Sequence, residues 1–565
     1  MVLPMQIYRA PVSEYMKLKK VFDIQHEHYD DATIQAVLEN AAKFAENELL
    51  SCNKTGDQEG CHLNVSDNTV TLPKDFHKVY TQYVTQGWAA LGGKQAYGGS
   101  EMPLYTVLAV VEFMAATNMS FTIGPMLTPA ACQVIDYAGT QAQKDTYLTK
   151  LTTGEYSGTM CLTEAHCGTD LGLIKTKATE SNGHYRITGN KIWITYGEHE
   201  LSKNIIHLVL AKLPGAPKGS RGISMFIVPK YLEDGTRNSV KCTGLESKMG
   251  QHAAPTCFMS FEDAEGYLLG EPNQGLKNMF LMMNEARIGV GHTALALSDI
   301  AYQTARAFVR ERNQSRALDP NKRNTEQEAD NILVHPDIRR QLLEVKSTNL
   351  AMRALVVYTA KLQSSETAAD QARVALLIPI IKAYLSGRGV QNIDTCMQIL
   401  GGSGYVRDWC IEQYFRDARI SMIYEGTNGI QALDLVGRKL MLDQGNSIKS
   451  LIADMHKCAK LCESNIFSQD LEDITCDLQQ ATMWLAKNGI KDHEQAAAVA
   501  NDYLHLCAIA LLAMMWLTML ESDQDYDEHV ARYFFKRVLV QRHTLMQQIT
   551  AGKSSMVDLD DSSFD

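Results

Sequence analysis

The stretch KTKATESNGHYRITGNKIWIT, residues 175–195, decides the fold class of this chain. Asn182 and Gly183 stand near its centre, and this pair suits the left-handed backbone of a type I′ hairpin turn. After the turn, Tyr185 and Ile187 alternate with polar residues, which is the period of a strand with one buried face. The stretch therefore predicts a β-hairpin in a chain whose flanking regions have a helical pattern.

Three segments after the hairpin also have strand character: residues 204–213, 222–230 and 255–264. Helical spacing of apolar residues precedes this region and returns after it. The predicted fold is therefore mostly α with a central β domain. The predicted domains are an N-terminal helical domain (1–157), a middle β domain (158–274), a C-terminal helical domain (275–444) and an additional C-terminal helical region with a frayed tail (445–565).

Composition narrows the function classes of the 565-residue chain. Its formal charge of −11, without a long basic run, argues against a nucleic-acid partner. The 13 cysteines lack a paired C-x-x-C pattern, which indicates reduced thiols and a cytoplasmic location. His456, Cys458 and Cys462 share a helical stretch, but no second ligand pair follows at zinc-like spacing, so no metal is expected.

One apolar segment raises the question of a membrane. Residues 503–520 contain no Asp, Glu, Lys or Arg, and their length is at the lower edge of a membrane span. Acidic residues flank the segment without a basic anchor. We interpret it as a buried helix of a bundle, and we expect no integral membrane segment.

The stretch SMIYEGTNGIQ, residues 421–431, contains a single glutamate, Glu425. Asn428 is interpreted as the N-cap of the next helix, with Gln431 as its capping-box partner. Glu425 precedes this cap and follows apolar residues, which would raise its pKa towards the range of a general base. The alternative is that Glu425 is an ordinary solvated residue of a polar turn.

Two other segments combine polar residues with an open backbone. MCLTEAHCGTDLG, residues 160–172, could wrap a planar polar ligand with the hydroxyls of Thr163 and Thr169, or be an ordinary loop. In KIWITYG, residues 191–197, Trp193 and Thr195 fall on one face of a strand and suit a flat ring system. The alternative is that Trp193 belongs to the core.

Two glycine-rich segments also have structural alternatives. QILGGSGYVRD, residues 398–408, lets backbone amides approach an anion, or it is a helix C-cap followed by a turn. The sequence Gly289-Val290-Gly291 mimics a dinucleotide-binding fingerprint, but no strand precedes it. We interpret this second segment as a close contact between helices.

Four motifs occur together and in order: T-E-x-x-x-G-T-D at 163–170, W-I-T at 193–195, Q-I-L-G-G-x-G at 398–404 and Y-E-G-T-N at 424–428. In these motifs the chain resembles the acyl-CoA dehydrogenase family, over about residues 35 to 440. The stretch GDQEGCH (56–62) and the extra C-terminal region resemble a larger subgroup of that family. This subgroup includes enzymes that act on 3-methylmercaptopropionyl-CoA.

The resemblance implies a helical domain, a β-barrel-like domain and a four-helix domain that hold FAD between them. By position, Glu425 is the catalytic base. The residues implied to bind FAD, some of them from a neighbouring subunit, are Met160, Leu162, Thr163, Trp193, Thr195, Arg312, Gln314, Gln398, Gly401, Gly402, Thr427 and Gly429. Those implied to bind the acyl-CoA substrate are Thr169, Asn284, Arg287, Tyr424 and Gly426.

The chain departs from the family pattern at two of these positions. Asn284 stands where the family often has aspartate, which affects one hydrogen bond to CoA. Thr169 replaces the usual serine and keeps its hydroxyl. Some members of the family place the base beside the arginine equivalent to Arg287, but Ala286 stands there in this chain. Glu425 therefore has no rival at that position.

The implied reaction is α,β-dehydrogenation of an acyl-CoA thioester to a trans-2-enoyl-CoA, with electrons passed to electron-transfer flavoprotein. The backbone amide of the base and a flavin ribityl hydroxyl would stabilise the developing enolate. A homodimer or homotetramer is expected. The alternatives are a general short- to long-chain dehydrogenase of fatty acid metabolism, an acyl-CoA oxidase, and a non-catalytic flavin-fold protein that binds DNA or another protein.

Overall fold

The computed structural model describes residues 8–522 and 525–565. Contacts within the chain group it into two compact units. The first unit combines Met1–Glu39 with Val290–Asp565, and the second is Asn40–Gly289. The first seven residues of the predicted N-terminal domain and two residues of the predicted C-terminal region lie outside the described residues. The four-domain division stays a prediction.

Helices dominate both units, and two of them, Asp31–Phe44 and Gly275–Glu311, continue across the division. The other α-helices of the Asn40–Gly289 unit are Asn53–Glu59, Lys74–Thr85, Leu104–Thr117, Met119–Thr122, Leu127–Ala138 and Gln141–Thr152. Those of the other unit are Val12–Val21, Pro336–Gln363, Ala368–Ile380, Ser386–Leu400, Gly402–Tyr405, Ile411–Arg419, Asn428–Asp434, Asn446–Leu461, Ser468–Asn488, His493–Ala498, Ala500–Leu520, Glu528–Tyr533 and Arg542–Ala551.

The strands all lie in the Asn40–Gly289 unit as far as the described residues go. A small two-stranded sheet is formed by β1 (His62–Asn64) and β2 (Thr69–Thr71). The main sheet has seven strands: β3 (Tyr156–Cys161), β4 (Lys177–Ser181), β5 (His184–Thr195), β6 (Asn204–Lys212), β7 (Ile223–Pro229), β8 (Val240–Leu245) and β9 (Thr256–Leu268). The fold class predicted from the sequence, mostly α with a central β domain, is confirmed.

The predicted hairpin is also confirmed. Strands β4 and β5 pair antiparallel, with Ser181 opposite His184. Asn182 and Gly183 both have left-handed φ angles, 51° and 85°, as a type I′ turn requires. The three other strands expected from the sequence correspond to β6, β7 and β9, whereas β3 and β8 had no clear alternation and were missed.

The core of the Asn40–Gly289 unit lies between helices and one face of the sheet. Val134 and Leu148, from Leu127–Ala138 and Gln141–Thr152, are fully buried with Ile206 of β6 and Met225 of β7. Met282, from Gly275–Glu311, belongs to the same cluster. Burial of these side chains fixes the sheet against the helices that precede and follow it in sequence.

The other unit is a bundle around the most apolar helix of the chain, Ala500–Leu520. This helix is long and apolar enough to cross a membrane, but 83% of its most apolar 18-residue stretch is buried inside the structure. Trp516 is fully buried, and its indole Nε1 donates to the backbone carbonyl of Ser347 at 3.1 Å. The interpretation as a buried helix of a bundle agrees with this packing.

The Gly289-Val290-Gly291 sequence lies inside the helix Gly275–Glu311, as its pattern predicts. A Cβ atom at Gly291 would come within 2.6 Å of the carbonyl oxygen of Ile381, so glycine permits a close contact there. Ile381 opens a π-helical segment, Ile381–Leu385, between Ala368–Ile380 and Ser386–Leu400. Such segments are rare and occur frequently at functional sites.

Candidate active site

Glu425 lies on a tight turn directly before the helix Asn428–Asp434. Its φ angle is +57°, and that of Gly426 is +84°. Left-handed backbone is uncommon for a residue with a Cβ, and such residues cluster at active sites. The side chain of Glu425 is half-buried. The turn therefore holds a partly desolvated carboxylate in a constrained conformation.

The helix cap after this turn differs from the sequence-based interpretation. Thr427, and not Asn428, is the N-cap: its side-chain oxygen accepts from the backbone N–H of Ile430 at 3.3 Å. Asn428 is already the first helical residue, and its amide is used elsewhere. Its Oδ1 accepts from Lys382 Nζ at 3.0 Å, and its Nδ2 donates to the carbonyl of Ala383 at 3.0 Å.

Gln431 does not serve as a capping-box partner either. It is fully buried, and its Nε2 donates to the carbonyl oxygen of Glu425 at 3.0 Å. A capping-box glutamine would instead accept from the backbone N–H of the N-cap. Its amide therefore contacts the turn that carries Glu425.

Tyr424 and Gly429 flank this turn on its two sides. Burial, together with the nearby charge of Glu425, raises the pKa of Tyr424, so its hydroxyl stays protonated at neutral pH. At Gly429, an added Cβ would meet only the hydroxyl of Thr427, at 3.9 Å. The start of this helix therefore presents an exposed hydroxyl and open backbone, which suits the approach of a phosphate group.

The glycine-rich segment at 398–408 contains the C-cap that the structural alternative proposed. Gly401, with a φ angle of +58°, ends the helix Ser386–Leu400 and donates its N–H to the carbonyl of Gln398 at 3.0 Å. An added Cβ would meet nothing within 4 Å at Gly401 or Gly402. The two interpretations coexist, because a cap with open backbone can still bind a ligand.

Arg312 and Gln314 follow the helix Gly275–Glu311 and are exposed. Arg312 Nη2 donates to Gln314 Oε1 at 3.3 Å, and the backbone carbonyl of Gln314 lies 3.0 Å from His335 Nε2. The two side chains therefore form a small polar group on the surface of their unit.

In the other unit, Trp193 breaks the regular alternation of β5. Its φ angle is +63°, and the pairing of β5 with β9 shifts register between Lys191 and Ile194. Trp193 is 53% exposed, so the alternative of a core tryptophan is wrong. Thr195 is half-buried and pairs with Thr256 of β9. The bulge presents an indole ring at the surface of the sheet.

A buried ion pair lies immediately before this bulge. Lys191 is fully buried, and its Nζ donates to Glu164 Oε1 at 2.9 Å and to the carbonyl of Leu162 at 2.8 Å. Glu164 also accepts from the backbone N–H of Lys175 at 2.7 Å and from the hydroxyl of Thr176 at 2.6 Å. Burial alone would raise the pKa of Glu164, but Lys191 and these donors hold it at about 2.

The ion pair joins the Trp193 bulge to the segment 160–172. The backbone N–H of Ile192 donates to the carbonyl of Thr163 at 2.9 Å, beside the contact between Lys191 and Leu162. Met160 and Leu162 pack at the edge of the core cluster, and Thr163 is half-buried, whereas Thr169 is exposed. Two of the sequence motifs therefore form one polar and aromatic surface.

Asn284 and Arg287 lie on the helix Gly275–Glu311, one turn apart. Arg287 is 5% exposed, and its guanidinium lies 6.0 Å from the ring centroid of Phe280. Between them lies Glu285, whose Oε2 is buried without a hydrogen-bond partner among the described residues. Burial raises the pKa of Glu285 to about 7.

In each of two groups of potential metal ligands, one member already contacts a side chain outside the group. The ligand atoms of Glu164, His166 and Cys167 lie within 4.8 Å of one another, but the ammonium of Lys191 already neutralises this carboxylate. In the other unit, His456 Nδ1 lies 2.8 Å from a carboxylate oxygen of Glu472. A cation at the first group would have to displace a buried ion pair.

Each unit, taken by itself, presents groups that suit part of a flavin dinucleotide. The unit Asn40–Gly289 presents an exposed indole with hydroxyls nearby, which suits a flat ring with polar edges. The other unit presents glycines with open backbone at a helix end and at a helix start. Backbone N–H groups that ligands can approach closely are the groups that bind phosphates.

Comparison with known proteins identifies the family to which this chain belongs. Four family models match in order: "Acyl-CoA dehydrogenase, N-terminal domain" (31–155), "middle domain" (159–264), "C-terminal domain" (321–441) and "Acetyl-CoA dehydrogenase C-terminal like" (451–560). The chain belongs to the acyl-CoA dehydrogenase family. Both the predicted family and the enzyme class are confirmed.

Individual relatives indicate the subgroup. The chain is 39% identical to 3-methylmercaptopropionyl-CoA dehydrogenase of Ruegeria pomeroyi, over 78% of each chain. It is 34% identical to a butyryl-CoA dehydrogenase of Syntrophomonas wolfei, over 80% of this chain and 77% of the relative. The structure of an acyl-CoA dehydrogenase from Bacillus anthracis, complexed with FAD, matches 97% of this chain and 90% of its own, with a TM-score of 0.74 and 20% identity.

Some residues of the site were missed in the sequence. Lys191, Lys382 and Gln431 are fully buried polar side chains that hold the motif segments in place. Lys191 carries no clear signal in the sequence, since it follows Thr188 and Asn190 in a strand that already contains polar residues. The spacing of Gln431 from Asn428 predicts a helix cap, because a glutamine three residues after an N-cap matches the capping-box pattern.

Proposed function

We propose that this acyl-CoA dehydrogenase binds FAD, oxidises 3-methylmercaptopropionyl-CoA to the corresponding trans-2-enoyl-CoA, and uses Glu425 as its base. The observation that carries the proposal is the Glu425 turn. It holds a half-buried carboxylate on left-handed backbone beside an open helix start, within the motif where the resemblance implies the base. A base needs a carboxylate whose position is fixed relative to the substrate's α-carbon.

The reaction removes two hydrogens from the acyl chain and forms a carbon–carbon double bond. The carboxylate of Glu425 takes the α-proton, and its backbone N–H donates to the thioester carbonyl, where negative charge develops. FAD, when bound, supplies the redox chemistry by accepting the β-hydrogen with its electron pair. The half-burial of Glu425 strengthens both interactions, because less water screens them.

The remaining residues have binding roles in this proposal. Arg287, Asn284 and Thr169 bind the CoA moiety and the thioester end of the substrate, with Tyr424 and Gly426 beside the base. The FAD-binding residues are the surface of Met160, Leu162, Thr163, Trp193 and Thr195, together with Thr427 and Gly429. Arg312, Gln314, Gln398, Gly401 and Gly402 bind the FAD of a neighbouring subunit.

The choice of substrate follows the relative from Ruegeria pomeroyi, whose name gives 3-methylmercaptopropionyl-CoA. The relative from Syntrophomonas wolfei supports a second candidate, a short-chain fatty acyl-CoA. Electron-transfer flavoprotein is the proposed electron acceptor, since the chain belongs to the dehydrogenase family. Oxygen consumption with peroxide release would indicate that oxygen is the electron acceptor, as in an oxidase.

We also propose that the protein is cytoplasmic and forms a homodimer or homotetramer.

The test is anaerobic titration of the purified flavoprotein with four substrates: 3-methylmercaptopropionyl-CoA, butyryl-CoA, octanoyl-CoA and palmitoyl-CoA. Loss of visible flavin absorbance reports reduction, and its rate ranks the acyl chains. We expect Glu425→Gln to slow reduction by about 10²–10⁴-fold, the usual contribution of a general base.

Glu412→Gln is the matched control, since Glu412 is a half-buried carboxylate of the same unit whose partner is Arg416. It should retain the wild-type rate. A Glu425→Gln variant that is reduced as fast as the wild type would exclude Glu425 as the base. A flavoprotein that none of the four acyl-CoAs reduces would exclude these substrates, and the proposed function with them.

A further inference from the structure

We propose that Gln431 is a positioning residue for the base: its side-chain amide holds the Glu425 turn in the conformation that presents the carboxylate and the backbone N–H to the substrate. The inference rests on the proposed function, and it assigns a role to a residue outside the four motif segments. Gln431 neither reacts nor binds substrate in this proposal. It acts through the backbone of Glu425.

The contacts of Gln431 are directed at the two left-handed residues. Its Nε2 donates to the carbonyl of Glu425 at 3.0 Å and approaches the carbonyl of Gly426 at 3.5 Å. These residues have φ angles of +57° and +84°. A residue with a Cβ stays in this region only when surrounding contacts hold it there. Gln431 supplies such a contact at the strained peptide itself.

The fit between this amide and the turn is close. A Cβ atom added to Gly426 would come within 2.8 Å of Gln431 Nε2, so glycine leaves the space that the amide occupies. Gln431 has no exposed surface, and its Oε1 has no hydrogen-bond partner within the described part of the chain. Among the described residues, the hydrogen bonds of this side-chain amide are therefore made by its donor, Nε2, and none by its acceptor, Oε1.

Gln431 is itself held by a buried frame. Its helix, Asn428–Asp434, begins with Asn428, whose side chain bonds to Lys382 and Ala383 of the π-helical segment and accepts from the hydroxyl of Ser386 at 3.1 Å. Lys382 and Ser386 are fully buried. The helix therefore cannot shift without breaking several buried hydrogen bonds, so Gln431 transmits a fixed position to the turn.

The consequence for catalysis is a requirement on geometry. A small displacement of a catalytic group greatly reduces the rate of its step, whereas binding of the distant CoA moiety is insensitive to it. Loss of the Gln431 donor should therefore lower kcat and leave KM nearly unchanged. A residue that only stabilises the fold would lower the content of active enzyme and the melting temperature without this split.

The experiment compares Gln431→Met with Gln341→Met in the FAD-loaded enzyme. Gln341 is a matched control: it is 5% exposed in the same unit, its Nε2 donates to Asp337 at 2.6 Å, and its Oε1 also has no hydrogen-bond partner among the described residues. We expect Gln431→Met to lower kcat about 10–100-fold, with the visible flavin spectrum and FAD content of the wild type. Gln341→Met should retain the wild-type kcat.

A second variant keeps the test valid if Gln431→Met folds poorly. A glutamate at position 431 can donate to the carbonyl of Glu425 only when it is protonated, so the activity of Gln431→Glu relative to wild type should rise as pH falls. Wild-type kcat in Gln431→Met, or a pH-independent ratio for Gln431→Glu, would overturn the positioning role. Failure of the wild type to be reduced by any acyl-CoA would overturn the proposed function instead, and the inference with it.

Discussion

The Trp193 bulge and the Glu425 turn each hold a residue in left-handed backbone, but they do so with different interactions. Each places a residue with a large side chain in the left-handed region, at φ angles of +63° and +57°. The bulge follows a buried ion pair between Lys191 and Glu164. The turn is held by the neutral amide of Gln431 and by the cap of Thr427.

The difference shows how the kind of anchor sets the cost of losing it. Removing one partner of a buried ion pair leaves an uncompensated charge, which costs about 3–5 kcal/mol. Removing one partner of a neutral hydrogen bond, so that the other stays buried and unsatisfied, costs about 1–3 kcal/mol. Loss of the ion pair is therefore expected to destabilise the folded state, whereas loss of the Gln431 hydrogen bond is expected to displace the Glu425 carboxylate.

The largest effect on stability should come from Lys191→Met. It leaves the Glu164 carboxylate buried and unpaired, so the free energy of unfolding should fall by about 3–5 kcal/mol, measured by denaturant titration of the FAD-loaded protein. The double variant Lys191→Met with Glu164→Gln removes both charges and should recover part of this loss. If the double variant is as unstable as the single one, the charge is not the cause.

A second carboxyl of the same unit tests the role of pairing. Glu164 has a partner and a pKa of about 2, whereas Glu285 has an unpartnered oxygen and a pKa of about 7. In the unfolded chain the pKa of Glu285 returns to its ordinary value of about 4.5. Between these values the folded state holds a proton that the unfolded state has lost, so stability falls as pH rises through this window.

Glu285→Gln removes this penalty. It should therefore stabilise the protein by roughly 2–3 kcal/mol at about pH 8 and have little effect at about pH 4. Thermal unfolding of both proteins across this pH range measures the difference. An equal gain at both ends of the range would mean that packing, and not ionisation, is responsible.

The smallest effects should come from two glycines with nearly the same φ angle. Gly183, at +85°, has nothing within 4 Å of an added Cβ, so Gly183→Ala should cost only the backbone term of about 1 kcal/mol. Gly426, at +84°, would meet Gln431 Nε2 at 2.8 Å. Gly426→Ala should therefore cost more, and it alone should slow flavin reduction. Equal activity in the two variants would argue against a close fit at the Glu425 turn.

Much of the fold was predictable from local patterns. The Asn182-Gly183 turn with alternation after it predicted the hairpin, and the apolar segment 503–520 without a basic anchor predicted a buried helix, Ala500–Leu520. The edge strands β3 and β8 were missed because their residues do not alternate clearly. Strand pairing in the tertiary structure, and not local propensity, assigns them to the sheet.

The candidate site was predictable only in part. Short motifs identified the family and the position of Glu425, because open glycines and hydroxyls recur wherever a backbone must approach a ligand. The motifs could not reveal what holds them. The residue type of Asn428 suits an N-cap, but its amide is engaged by Lys382, which lies 46 positions earlier in the chain.

The sequence by itself determined the order of helical and β regions, the family and the position of the proposed base. These depend on composition, periodicity and short motifs, all of which are local. The tertiary structure decided how Trp193 and Glu425 are held, since each anchor is a contact that forms only in the folded chain: Lys191 Nζ with Glu164, 27 positions apart, and Gln431 Nε2 with the carbonyl of Glu425. A buried polar group is stable only with its partners in place, and those partners meet only when the chain has folded.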